Sequence, residues 1–156
     1  MKLIIALFAL LLLIVFGISL SQNYFKTGIF PFSKTPTATV NNQKFNLLIP
    51  KTTSDKEIGL SKYSSLPQNT GMLFIFERAD FYSFWMRDMK FPIDIIFIKG
   101  DKIATIYENV QPPKSKDESI PLYKPTSASD KVLEINANLS KKYNIKEGNT
   151  VKIENL

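Results

Sequence analysis

No cysteine and no histidine occurs among the 156 residues, and only two arginines do, Arg78 and Arg87. Without cysteine there is no disulfide, no thiol nucleophile and no lipidated residue at the end of a signal segment. Without histidine there is no Ser-His-Asp triad and no imidazole base, and the two absences together remove zinc sites of the usual kind. A chain free of cysteine is compatible with an oxidising exterior without marking the compartment. The scarcity of arginine also bears on nucleic acid. The formal charge is +6, but Lys2, Lys26 and Lys34 precede every acid, and from residue 37 onward seventeen Lys and Arg face fourteen Asp and Glu. They form no basic stripe, so no nucleic-acid partner is expected and the charges read as a solvated surface.

Leu3 to Leu20 runs for eighteen residues without a charge. At 1.5 Å per residue a helix there would span about 27 Å, close to the thickness of a bilayer core. Lys2 and the α-amino group favour keeping the N-terminus in the cytoplasm, opposed by Lys26 and Lys34 beyond the run. Ser19-Leu20-Ser21 has the form of a signal-peptidase site, but the apolar run is long for a removable signal. Residues 1–21 therefore read as a signal anchor, or as a signal peptide, with the remainder outside the cytoplasm: membrane-bound and single-pass if uncleaved, secreted or periplasmic if cleaved. Residues 22–36, with Gly28, Pro31, Pro36 and the rings of Tyr24, Phe25, Phe30 and Phe32, read as a linker whose aromatics suit a membrane interface. That leaves 37–156 as one domain, large enough for a hydrophobic core.

Within it, strand-forming runs at Thr37 to Val40 and Gln43 to Ile49 flank Asn41-Asn42, a pair that tolerates positive φ, and predict a hairpin. Ser54-Asp55-Lys56-Glu57 has the form of a capping box and predicts a short helix. Ile93 to Ile98 and Lys102 to Val110 flank Lys99-Gly100-Asp101, a second hairpin. The first of these strands is apolar on both faces, as a central or barrel strand is. Asp94 shares the face of Ile96 and Ile98 and must find donors there, because burying a carboxylate unpaired is expensive. Residues 111–129, with four prolines, read as a long loop. A strand at Lys131 to Asn136, a short helix within Ala137 to Tyr143 and a last strand from Val151 to Glu154 complete the chain. The fold class is α+β, mainly β: a compact barrel-like domain with one or two short helices.

The densest chemistry lies between Gly71 and Asp94, which hold the single tryptophan and both arginines. Two aromatic runs, Met72 to Phe76 and Phe81 to Met86, are expected as strands around the charged connection Glu77-Arg78-Ala79-Asp80, leading to a polar corner at Arg87-Asp88-Met89-Lys90. Trp85 offers a flat apolar platform and Arg87 a fork for carboxylate or phosphate, while Asp94 would orient Arg87 or accept ligand hydroxyls. The alternative reading makes Trp85 core and Asp94 a corner cap on the Arg87–Pro92 connection, paired with Arg87.

Several blocks in order resemble domain-of-unknown-function family 192. They are Glu57-Ile58-Gly59-Leu60, Gly71-Met72-Leu73-Phe74-Ile75-Phe76, Phe84-Trp85-Met86-Arg87, the run Phe91 to Ile98, Lys131-Val132-Leu133-Glu134 and Ile145-Lys146-Glu147-Gly148. The resemblance spans about residues 38 to 154 and implies a β-rich, barrel-like, often exported domain with no agreed activity. The chain departs from the family pattern at Ser61 and Lys62-Tyr63, at Asp88-Met89 where the family tends to Asn-Thr, and at Ala137-Asn138 where it tends to Ala-Gly. Carry-over of site positions is thus strongest for Trp85, Arg87 and Asp94.

The reading favoured by the sequence is a membrane-tethered module that binds a small polar ligand or glycan through Trp85, Arg87, Asp88, Asp94 and Glu134, without catalysis. An accessory protein touching a membrane-bound partner through Phe81, Tyr82, Phe84 or Tyr123 is the first alternative. A hydrolase using Asp88, Asp94 and Glu134 as paired carboxylates is the second. No cofactor or metal is expected, since no loop sets cation ligands at regular offsets.

Overall fold

The computed structural model describes residues 34–115 and 118–156. The expected anchor at 1–21 and nearly all of the linker at 22–36 lie outside the described residues. Among the described residues no helix is long and apolar enough to cross a membrane.

Seven strands form one mixed sheet: β1 (Thr37–Val40), β2 (Gln43–Leu48), β3 (Thr70–Asp80), β4 (Ile93–Lys99), β5 (Lys102–Val110), β6 (Ser129–Asn136) and β7 (Lys152–Glu154), in the order β5-β4-β6-β3-β2-β1-β7. Only β2 and β3 run parallel; the other pairings are antiparallel. The first hairpin turns through Asn41 and Asn42 at φ 47° and 65°, the left-handed pair that a two-residue turn requires. Lys102 bridges to Thr150, and Val151 N–H donates to Asp101 O at 2.8 Å. The start of β5 thereby meets the segment ahead of β7, and the sheet curls into a half-barrel.

The curl creates two cores, and β4 serves both. Ile96 and Ile98 join Ala38, Phe45, Leu73, Leu133 and Ile135 on the inner face. Ile93, Ile95 and Phe97 join Met72, Phe74, Met86 and Val132 on the outer face. This is why the strand is apolar on both sides. Gly71 stands where β3 crosses β6: a Cβ there would lie 2.9 Å from the Glu134 carbonyl oxygen. Two short helices complete the domain. α1 (Thr53–Ile58) runs into a 3₁₀ turn at Gly59–Lys62, and α2 (Leu139–Lys142) delivers Leu139 to the inner core.

Two local expectations are corrected. The helix is capped two residues earlier than Ser54 and Glu57 suggested: Thr52 Oγ1 accepts from Asp55 N–H at 3.0 Å, while Asp55 Oδ2 accepts from Thr52 N–H at 3.2 Å. The region expected as two strands around a charged connection is one long strand followed by a loop. β3 continues through Glu77-Arg78-Ala79-Asp80, and Phe81 to Met86 contribute only an isolated bridge from Phe84 to Tyr123. The chain leaves β3 where Asp80 Oδ1 accepts from Phe81 N–H at 2.7 Å. Tyr82 then folds back, its hydroxyl donating to Arg78 O at 2.9 Å and its ring stacking on Phe76 at 3.7 Å between centroids.

Candidate functional site

The outer face of β3 and β6 is not fully covered. Strand alternation points Met72, Phe74 and Phe76 of β3, and Val132 and Glu134 of β6, to this side. Over them lie α1 with its 3₁₀ turn and the loop carrying Tyr82 to Met89. Between these covers remains a cleft of about 240 Å³. Its walls are Phe74, Phe76, Tyr82, Phe84, Trp85 and Leu60, with Lys56, Glu57 and Ile58 contributed by α1 and Arg87 by the loop. The rings brace one another: Phe84 meets Phe74 edge-on at 5.0 Å and Phe97 at 5.7 Å. Such contacts hold the wall in one arrangement.

Glu134 also lines the cleft. It is 5% exposed, its cross-strand neighbours are Met72 and Ile95, and among the described residues its carboxyl has neither a hydrogen-bond nor an ion-pair partner. Burial among apolar neighbours disfavours the charged form and pushes its pKa up to about 8. At neutral pH it is therefore a carboxylic acid, able to donate as well as accept. Above it, Trp85 is 38% exposed, and the Arg87 guanidinium lies 5.5 Å from its ring centroid. Arg87 forms no ion pair among the described residues. Lys56 is engaged, its Nζ donating to Ile75 O at 2.8 Å and lying 4.9 Å over the Phe76 ring.

The structure thus brings Trp85, Arg87 and Glu134 to one cleft and places the other two candidate residues elsewhere. Asp94 lies on the inner side of the sheet, 0% exposed. Its Oδ1 accepts from the backbone N–H of Asn109 at 2.8 Å and of Asn138 at 2.9 Å, and its Oδ2 from Ser140 N–H at 2.8 Å. Those donors sit at a bulge in β5 and at the first turn of α2. Asp94 therefore caps these two distant segments, and neither the Arg87 corner nor Arg87 itself. Asp88 occupies the exposed corner at φ 58° and lines a second hollow with Arg87, Lys90 and Lys114. No group of three acids could hold a metal ion among the described residues. Sequence reasoning missed the α1 wall, Lys56, Glu57 and Ile58, because nothing local says which sheet face a short helix covers. It also missed Phe74 and Phe76 as lining, although their two-residue spacing from Met72 already put them on one face.

The family model of DUF192, described as Uncharacterized ACR, matches residues 36–153. A protein of unknown function from Novosphingobium aromaticivorans DSM 12444 is similar in structure, with a TM-score of 0.65 and 30% identity over 74% of this chain and 83% of its own. A protein of Sinorhizobium meliloti 1021, provisionally described as a transcription regulator, has a TM-score of 0.67 and 24% identity over 78% of this chain and 93% of its own; that likeness speaks to the fold alone. No curated protein matches the chain.

Proposed function

The chain belongs to the DUF192 family, and from that premise and the cleft we propose that it is a non-catalytic module binding a small polar ligand or glycan. The observation that carries the reading is Glu134. Its carboxyl is almost enclosed by apolar neighbours, keeps a small opening, lines the cleft and meets no partner among the described residues, so a ligand group can complete it. Aromatic walls and a few polar groups converging on a concavity are the usual composition of a small-molecule site. We further propose that residues 1–21 tether the domain to a membrane, outside the cytoplasm; the uncharged run from Leu3 to Leu20 supports this.

The alternatives have less behind them. Asp88, Asp94 and Glu134 occupy three separate settings, so they offer no carboxylate pair for hydrolysis. Of the four aromatics suited to a protein partner, Phe81 is 55% exposed, whereas Tyr82, Phe84 and Tyr123 are engaged with other rings.

The single tryptophan lies in the cleft wall, which makes the test direct. The full chain in non-ionic detergent is titrated with monosaccharides, oligosaccharides and small organic acids while Trp85 emission is followed. A saturable spectral change is expected from at least one class, weakened about tenfold in Glu134→Leu, consistent with loss of one good hydrogen bond. If no class perturbs Trp85, and Glu134→Leu does no more than raise the melting temperature, the cleft is a packing feature and the reading fails.

A further inference from the structure

Two of the polar groups that line the cleft differ in kind. One is Glu134, which has Met72 and Ile95 beside it in register and whose burial pushes its pKa up to about 8. The other is the Arg87 guanidinium, which forms no ion pair among the described residues and lies 5.5 Å from the Trp85 ring centroid. The charged and titratable groups facing this space are Lys56 and Glu57 from α1 and Tyr82 and Arg87 from the loop; β3 and β4 contribute only apolar side chains around Glu134. Lys56 and Arg87 already lie over the rings of Phe76 and Trp85. An organic cation, which aromatic walls would otherwise favour, finds two of these rings taken and two positive charges set against the one acid of α1, Glu57. The volume, about 240 Å³, is the liquid-volume share of about eight water molecules, room for one substituted ring.

We infer that the cleft takes a single-ring ligand carrying a neutral hydrogen-bond acceptor for Glu134 and an acidic group for Arg87. The inference rests on reading the cleft as a ligand site. The acceptor receives the Glu134 proton as a hydrogen bond, the ring lies between aromatic walls, and the anion takes the guanidinium fork as a charge-assisted pair. Lys56, held at the Ile75 carbonyl, adds a second positive charge for the anion.

The test is isothermal titration calorimetry on the full chain in detergent with three probes: 4-acetylbenzoate, which has both ends, 4-acetylbenzamide, which lacks the anion, and benzyltrimethylammonium, which replaces it with a cation. 4-Acetylbenzoate is expected to bind tightest, with constant affinity between pH 5.5 and about 7. Above about 8, where Glu134 ionises, its affinity should fall by about tenfold per pH unit, as loss of one required proton dictates. Arg87→Gln should reduce its affinity about tenfold and leave the amide unchanged, while Glu134→Gln, which keeps a donor, should retain binding and abolish the fall at high pH. Tighter binding of the ammonium probe, with affinity rising with pH, would overturn the inference. So would failure of all three probes while a sugar still perturbs Trp85, an outcome that leaves the cleft as a ligand site. Silence of every probe and every sugar removes both.

Discussion

Two buried acids on opposite sides of one sheet show how little an amino-acid type decides by itself. Asp94 and Glu134 are both nearly inaccessible, yet Asp94 gathers three backbone donors and Glu134 gathers none. The sequence placed each on its face, because strand alternation puts Asp94 with Ile96 and Glu134 with Val132. It also required donors for Asp94. It could not name them, since Asn109, Asn138 and Ser140 are 15 to 46 residues away. Asp94→Ala is expected to deprive three N–H groups of their acceptor, that of Ser140 in a buried setting, and to cost roughly 3–5 kcal/mol in urea unfolding. Asp94→Asn, which keeps one good acceptor, should lose less; equal stability of both variants and the parent would remove the capping role. The departures from the family pattern at Asp88 and Asn138 become intelligible at this scale. Both residues adopt positive φ, 58° and 67°, a conformation open to Asn, Asp and Gly.

At the scale of elements, hairpins and alternating strands were readable because their signals are local: Asn41-Asn42, Gly100, and the doubled apolar pattern of β4. The elements that were misread are those whose limits are set from afar. The charged run after Phe76 looked like a turn but remains strand, with a register irregularity against β6 between Ile75 and Asp80. The aromatic run from Phe81 looked like a strand but is loop, because its rings find partners on the outer face of the sheet. The cap of α1 was misplaced by two residues because Thr52/Asp55 and Ser54/Glu57 both satisfy the pattern. Thr52→Ala should lower stability by about 1 kcal/mol and Ser54→Ala by far less, read from thermal unfolding. The reverse order would put the cap back at Ser54. Since α1 forms one wall of the cleft, Thr52→Ala should also weaken ligand binding more than its stability cost alone would suggest.

Across the whole molecule, mainly β character and a barrel-like curl were legible, whereas the strand order was not. Parallel pairing of β2 with β3 across the helical segment at 49–69, and insertion of β6 between β3 and β4, depend on contacts distant in sequence. The outcome is a half-barrel with an inner core and an outer core, the outer one opening into the cleft at Glu134. That opening affects the stability of the entire domain. The folded-state pKa of Glu134 is raised from 4.5 to about 8, so above pH 4.5 the unfolded state releases a proton that the folded state retains. The resulting stability is full below about 4.5 and is lost as the pH rises to about 8, on the order of 5 kcal/mol over the window. Asp55 and Asp130, whose carboxyls are held below the usual range, act with the opposite sign and only at more acid pH. The most direct measurement is therefore urea unfolding of the full chain in detergent from pH 5 to 9, for the parent and for Glu134→Gln. The parent should lose stability steadily up to about pH 8 and then level off, while the variant stays flat and becomes the more stable of the two. Parallel curves with no decline would mean that Glu134 is paired or hydrated in solution, and the cleft would lose the group on which its function is argued.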